Sequence, residues 1–166
     1  MVTTNGSLAG AKLAPADLAE LIEAQLYCTL SFIGADGWPR AVVVSYLPWD
    51  GAFWFSAIAG RRHIEGPRAD PRVSVVVDNR GTALTGRRMV SQRGRAVLHS
   101  ERSTVEWFYA AFAARHEPAD PGPYAAHLDV PQRVVVQVVP VGRPTSYDSR
   151  RLTNDPRATD PRLPAG

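Results

Sequence analysis

Short apolar runs with strand-like alternation fill most of this sequence, and tight turns join them. The two clearest turns are residues 34–37 (Gly-Ala-Asp-Gly) and 48–51 (Pro-Trp-Asp-Gly), which contain the residue types that turns favour. Strands joined by such short turns pair antiparallel, because a parallel connection needs a crossover of about a dozen residues or more. The chain is therefore restricted to antiparallel, mainly β folds, and a parallel nucleotide-binding sheet is excluded.

Six strands and two flanking helices are predicted from this pattern. The strands cover residues 27–33, 40–47, 52–56, 72–77, 88–99 and 133–139. One helix begins at Pro15, because proline suits the first helical position, and another follows residues 103–106, whose sequence Ser-Thr-Val-Glu has the form of a capping box. Residues 64–69 are expected to form a helical turn at most, since Gly66 and Pro67 interrupt them. Residues 117–123 are predicted to be a proline-rich loop.

The length and composition of the chain fit one compact domain. Its 166 residues are 45% hydrophobic, yet no apolar run is long enough to span a membrane. We expect a single domain over residues 15–152, with a flexible N-terminus (1–14) and a flexible C-terminal tail (153–166). The N-terminus does not read as a secretion signal and Cys28 is the only cysteine, so a cytoplasmic location and a buried, unreactive thiol are predicted.

Arginine dominates the basic charge of the chain and is concentrated in its middle. All 19 basic residues except Lys12 are arginines, a bias that fits a GC-rich genome as well as a need for anion contacts. Between residues 61 and 102, ten arginines stand against four acidic residues, so an anionic partner is expected there. Nucleic acid is the weakest candidate partner, because no basic and aromatic surface motif accompanies the arginines.

The segment from Trp54 to His63 combines the groups that hold a phosphate. A predicted strand ends at Ser56, and Gly60 then leads into Arg61 and Arg62. A hydroxyl group, loop N–H groups and guanidinium groups all donate hydrogen bonds to phosphate oxygens, and a helix beginning here adds its dipole. The alternative interpretation of the two arginines is a solvated basic loop without a ligand.

Three parts of the sequence resemble the pyridoxamine 5′-phosphate oxidase-like superfamily of FMN-binding split barrels. They are residues 38–44, then 53–56 with 60–62 and 69–76, and finally 90–96. The resemblance spans roughly residues 26–100 of the sequence. It implies a six-stranded antiparallel split barrel of the FMN-binding type with flanking helices. It also implies a homodimer in which the flavin lies between the subunits.

The same resemblance assigns residues to the cofactor. These residues are Arg40, Val42, Val43, Val44, Phe55, Ser56, Arg61, Arg62 and Gln92. Arg40, Phe55, Ser56, Arg61 and Arg62 would hold the phosphate and ribityl chain, and the backbone of residues 42–44 would face the isoalloxazine ring. The family usually has lysine where this chain has Arg62. No acid–base pair stands out, so catalytic residues are not assigned, and the four histidines form no close cluster, so no metal site is predicted.

The leading hypothesis for the function is a flavin-dependent oxidoreductase that transfers hydride or electrons to or from a small organic substrate. An alternative is a reductase of the same fold that uses the deazaflavin coenzyme F(420). In that case Arg87, Arg88, Arg93 and Arg95 would form a groove for the acidic tail of the coenzyme. A second alternative is a non-catalytic flavin- or haem-binding protein.

Overall fold

The computed structural model describes residues 11–151. Residues 1–10 of the predicted flexible N-terminus and the whole predicted tail (153–166) lie outside the described residues. Four α-helices and eight β-strands are found in the described part, and no helix there is long and apolar enough to cross a membrane. In chain order they are α1 (Pro15–Ala24), β1 (Tyr27–Ile33), β2 (Pro39–Ser45), β3 (Leu47–Trp49), β4 (Ala52–Ile58), α2 (Arg62–Ala69), β5 (Arg72–Asp78), β6 (Arg88–His99), α3 (Arg102–His116), α4 (Pro121–Leu128), β7 (Arg133–Pro140) and β8 (Thr145–Asp148).

The strands belong to one sheet, which confirms the predicted mainly β class with flanking helices. Its order is β2–β1–β5–β6–β7–β4–β3, and β8 pairs with β6. The pairs β1–β2, β3–β4, β4–β7, β6–β7 and β6–β8 are antiparallel. Alternation explains why these segments form strands: in β1 the side chains of Cys28, Leu30 and Phe32 are buried and their neighbours are not.

The predicted number of six strands is wrong, because the described residues form eight. The predicted strand 40–47 is two strands, since β2 pairs with β1 as far as Ser45 and β3 pairs with β4 from Leu47 onward. Strand β8 has only four residues, and it forms because Thr145–Asp148 pairs with the distant start of β6. So short a strand has no clear alternation of its own in the sequence.

Two expectations about helices also fail. Helix α2 is a complete helix of eight residues, and it contains Pro67. Helix α4 begins within the predicted proline-rich loop (117–123) and continues to Leu128, and Pro121 occupies a favourable first-turn position.

The predicted capping box does not form either. Helix α3 begins at Arg102, and its N-cap residue, Glu101, makes no side-chain capping bond. Glu106 instead accepts a hydrogen bond of 2.6 Å from the guanidinium group of Arg102. An ion pair on the helix surface therefore replaces the predicted bond to the backbone.

The chain divides into two compact units. The larger unit contains Leu26–Val75 and Arg93–Gly142, and the smaller one contains Val76–Gln92 together with the described residues 11–25 and 143–151. In the larger unit, the predicted apolar face of α3 is buried in a core with β3, β4, α4 and β7. The buried members of this core are Leu47, Ala52, Trp54, Val105, Phe108, Tyr109, Phe112, Leu128 and Val135. The prediction of a single domain over residues 15–152 stays a prediction.

Helix α2 lies close to β1 in the larger unit because residue 66 has no side chain. A Cβ atom at Gly66 would lie 2.8 Å from the carbonyl oxygen of Ile33 and against the ring of Phe32. The Gly66-Pro67 pair, expected to interrupt the helix, thus allows the helix to approach the sheet.

We expect the substitution Gly66→Ala to lower the free energy of unfolding by about 2 kcal/mol, because the added methyl group overpacks the contact with β1. The matched control is Gly122→Ala in α4, where a Cβ atom meets nothing within 4 Å. That control should be neutral or stabilise by up to about 1 kcal/mol. Chemical denaturation of both variants measures the difference, and equal effects would contradict the proposed close packing.

Candidate functional site

The loop between β4 and α2 holds the predicted pair of arginines. Gly60 has a φ of 84°, in the left-handed region that favours glycine, so this bend requires residue 60 to be a glycine. Arg61 is the N-cap residue of α2 and Arg62 is its first residue, and both are exposed. Two guanidinium groups therefore lie at the helix end that attracts anions.

Part of the hydrogen-bonding capacity of this loop is already used. The backbone N–H of Gly60 donates to Oε1 of Glu65 at 3.1 Å, and the backbone N–H of Arg61 donates to the carbonyl of Ile58 at 3.3 Å. Among the N–H groups of the first turn of α2, that of Ile64 already donates to the carbonyl of Arg61 at 2.8 Å, so those of Arg62 and His63 are the ones suited to an anion. The loop thus offers charge and helix N–H groups rather than a full ring of loop N–H groups.

Ser56 has a basic neighbour that the sequence did not reveal. Nη1 of Arg133, the first residue of β7, lies 3.5 Å from Oγ of Ser56, at the outer limit of a hydrogen bond. Nε of Arg133 is buried and has no hydrogen-bond partner among residues 11–151. Because β4 pairs with β7 in the register Ser56↔Val135, the two side chains lie on one face of the sheet.

His63 follows the arginine pair and is held neutral. Its pKa is lowered, chiefly because burial disfavours the charged ring and also because Arg61 is nearby. At neutral pH this ring therefore supplies a hydrogen bond rather than a charge. Within the described residues, no group of three or more His, Cys, Asp or Glu side chains is arranged to hold a metal ion.

The predicted residues on β2 divide between the two faces of the strand. Arg40, Val42 and Val44 share one face by alternation, while Val43 lies on the other face with 70% of its surface exposed. Nη2 of Arg40 donates to Oδ2 of Asp36 at 2.6 Å. The pKa of Asp36 is lowered, first by a hydrogen bond from the backbone of Trp38 and then by Arg40. The contacts of Arg40 thus lie in its own hairpin turn.

The two remaining predicted residues are buried. Phe55 is 1% exposed and is followed on β4 by Ser56, so the two side chains point to opposite faces of the strand. A ligand beside Ser56 would meet Phe55 only through its backbone. Gln92 is 6% exposed and lies on β6 in the smaller unit.

A cleft of about 460 Å³ lies in the larger unit, over β1, β5 and β6. Its apolar side includes Phe32 and Val73, and its basic side is formed by Arg72, Arg93 and Arg95. Arg72 is paired with Asp70, and this hydrogen bond lowers the pKa of Asp70 to about 2. The nine predicted cofactor residues are not among the described residues that line this cleft.

The four arginines expected to form one groove have different surroundings. Arg88 is 4% exposed, and its Nη1 contacts Oε2 of Glu20 at 2.5 Å in the smaller unit. The guanidinium group of Arg87 lies 6.0 Å from the ring centre of Tyr147 in the same unit. Only Arg93 and Arg95 line the cleft, so Arg88 has a structural role instead.

The antiparallel sheet and the basic loop after β4 define a β protein suited to a phosphate-bearing ligand. The sequence profile of the pyridoxamine 5′-phosphate oxidase family matches residues 14–143. The match covers most of the chain, which therefore belongs to this family. No curated protein sequence matches the chain.

Solved structures agree with this fold. The conserved hypothetical protein Rv2991 from Mycobacterium tuberculosis is 25% identical with a TM-score of 0.77, over 91% of this chain and 94% of that one. An F420 reductase is 22% identical with a TM-score of 0.57, over 76% and 94% of the two chains. An FAD-binding protein from Mesorhizobium loti is 21% identical with a TM-score of 0.59, over 81% of this chain and 94% of that one. The predicted split-barrel fold is thereby confirmed.

Proposed function

We propose that this protein is a flavin-dependent oxidoreductase that binds FMN as a homodimer and acts on a small organic substrate. The observation that carries the proposal is the exposed pair Arg61 and Arg62 at the start of α2. Family membership supports a flavin, and an FAD-binding protein has the same fold. A cytoplasmic location stays part of the proposal.

The residues of the chain fit a group that carries a phosphate. The buried Nε–H of Arg133 needs an acceptor, and Oγ of Ser56 lies beside the same guanidinium group. Arg61 and Arg62 supply the charge that a dianionic phosphate requires. Bound FMN would supply the redox chemistry, while the protein binds it, orients it and excludes water. In this assignment the guanidinium group of Arg40 would also contact the cofactor, and the backbone of Val42–Val44 would face its ring.

We expect the double substitution Arg61→Gln and Arg62→Gln to weaken FMN binding about tenfold or more, because charge-assisted hydrogen bonds to phosphate are lost. A titration of flavin fluorescence measures the dissociation constant. The control is Arg80→Gln, which removes the charge of an arginine whose side chain is 88% exposed. This control should leave FMN affinity unchanged.

The absorbance spectrum and mass of the molecule released on denaturation test the cofactor directly. Purified protein that is colourless and does not bind added FMN would contradict the proposal. Haem in the released fraction, or no turnover with a reduced nicotinamide and an artificial acceptor, would favour the non-catalytic flavin- or haem-binding alternative.

Exposed apolar residues on the β1–β2 edge of the larger unit support the homodimer. Strand β2 ends the sheet order, and Trp38, Val43 and Tyr27 are 71%, 70% and 53% exposed. Tyr27 and Val43 share a face, because Tyr27 pairs with Ser45 and alternation places Val43 on the side of Ser45. An uncovered apolar edge of this kind is suited to a second copy of the chain.

We expect Val43→Glu to convert the dimer into a monomer, because a charge would be buried at the contact. Light scattering after gel filtration measures the mass of both forms. The control is Val97→Glu, which places the same charge on the interior strand β6, where Val97 is 41% exposed. A wild-type protein that is already monomeric would contradict this part of the proposal.

A deazaflavin-dependent reductase is the second candidate, and the basic cleft favours it. Arg93 and Arg95 line a cleft in the larger unit, and an acidic coenzyme tail needs such positive charge. An F420 reductase also has the same fold. Arg88 is not substituted in the experiment that follows, because it is buried and paired with Glu20.

We expect the double substitution Arg93→Gln and Arg95→Gln to separate the two candidates. If the tail lies in the cleft, these changes weaken deazaflavin binding at least about fivefold more than FMN binding, since only the deazaflavin carries the acidic tail. Dissociation constants for the two cofactors, measured at the same ionic strength, give the ratio. Equal effects on both cofactors would contradict a tail site in the cleft.

A further inference from the structure

A second pocket in the larger unit, with a volume of about 360 Å³, has the features of a separate binding site. We name it the tryptophan pocket. It is lined by Trp49, Asp50, Trp54, Trp107 and Gln137, together with Ser103 and Thr104 at the start of α3. The residues proposed to bind FMN are not among the described residues that line it.

Trp54 contributes to the wall of this pocket and carries a buried hydrogen-bond donor without a partner among residues 11–151. Its side chain is 7% exposed, and its Nε1 has no hydrogen-bond partner among residues 11–151. The ring is held in place, since it stacks on His99 at 5.0 Å and meets the edge of Trp107 at 5.1 Å. An indole N–H can only donate, and buried donors almost always have an acceptor. The N–H of Trp54 is a donor for which residues 11–151 supply no acceptor.

The other polar groups of the pocket define the rest of the ligand. Oε1 of Gln137 lies 3.1 Å from Nε2 of His99, so with Nε2 protonated the amide NH₂ of Gln137 remains available as a donor. Ser103 and Thr104 contribute hydroxyl groups. The pocket thus offers several donors to a carbonyl group.

Asp50 gives the pocket a negative charge. It is the charged residue among the described lining residues. The nearest cation along the chain, Arg102, is paired with Glu106 at 2.6 Å and with Asp129 at 2.7 Å. Because no basic side chain of the described lining offsets Asp50, the pocket disfavours anions and favours an N–H group or a cation beside the acceptor.

The aromatic surfaces indicate a flat ligand. Trp49 is 53% exposed, and its ring centre lies 5.5 Å from that of Trp107. Exposed tryptophan faces stack on planar rings and attract positive charge through their π electrons. Stacking and charge together therefore select a planar ring that is neutral or positive.

We propose that the tryptophan pocket binds a small heteroaromatic molecule that carries a carbonyl acceptor next to an N–H group or a positively charged ring nitrogen. Nicotinamide and 1-methylnicotinamide have this chemistry and serve as probes. Nicotinate, which replaces the carboxamide with a carboxylate, is the matched control.

The indole N–H resonances of ¹⁵N-labelled protein test the proposal, because each tryptophan gives its own signal. We expect 1-methylnicotinamide to shift the Trp54 resonance saturably, with a dissociation constant of about 1 mM or tighter. The resonance of Trp38, which is 71% exposed and outside the pocket, should not shift. Nicotinate should bind at least about threefold more weakly, because Asp50 repels its carboxylate.

Three variants assign the binding to individual groups. Trp54→Phe keeps an aromatic ring but removes the N–H, and it should weaken both probes about fivefold or more. Asp50→Asn should weaken 1-methylnicotinamide about threefold and leave nicotinamide unchanged. Asparagine tolerates the φ of 49° at this position, so the turn is kept. Trp49→Leu should weaken both probes, because it removes an exposed ring of the pocket.

Several results would overturn the proposal. One is a Trp54 resonance that does not shift, or that shifts linearly together with Trp38. Another is nicotinate binding as tightly as 1-methylnicotinamide. If Trp54→Phe does not fold, the exposed positions Asp50 and Trp49 decide the question, and unchanged affinity in both of those variants overturns the site.

Discussion

The antiparallel register between β4 and β7 fixes both candidate sites of the larger unit. Ser56 pairs with Val135 and Trp54 pairs with Gln137, and alternation places all of these side chains on one face of the sheet. The same register brings Arg133 next to Ser56. A slip of one residue would turn these side chains to the opposite face of the strand, where Phe55 is now buried. The packing of Phe55 and its neighbours in the core therefore holds the polar groups of both sites in position.

Elements with strong local patterns were predictable from the sequence, and elements that depend on distant partners were not. The predicted bounds of β1 and β6 agree with the structure, because β1 alternates and β6 is long. Strand β8 forms only because β6 offers it a partner, so its four residues alone do not predict a strand. The Gly66-Pro67 pair was interpreted as a helix breaker, but the close approach of α2 to β1 requires the glycine.

The residues of the candidate site differ in the same way between those that the local sequence predicts and those that only distant pairing brings in. Ser56, Arg61 and Arg62 lie within one short segment, so the sequence alone suggested their shared chemistry. Arg133 begins a strand far along the chain, and only the pairing of β4 with β7 brings it to Ser56. The excess of positive charge along the sequence predicts an anion-binding role for Arg88, but a count of charges does not include burial. A buried arginine beside Glu20 binds no external anion, whatever the local charge excess.

The charged groups of the two sites lie beyond opposite ends of β4, and the two sites have opposite charge preferences. Asp50 precedes this strand of seven residues and Arg61 follows it, which separates the two residues by about 20 Å. The screening length at physiological ionic strength is about 8 Å, so the arginine pair hardly affects the field at Asp50. The basic loop can therefore hold a phosphate without repelling a cation from the tryptophan pocket. The charges are screened from one another, so the remaining link between the two sites is Ser56 and Trp54, which lie two residues apart on the same face of β4.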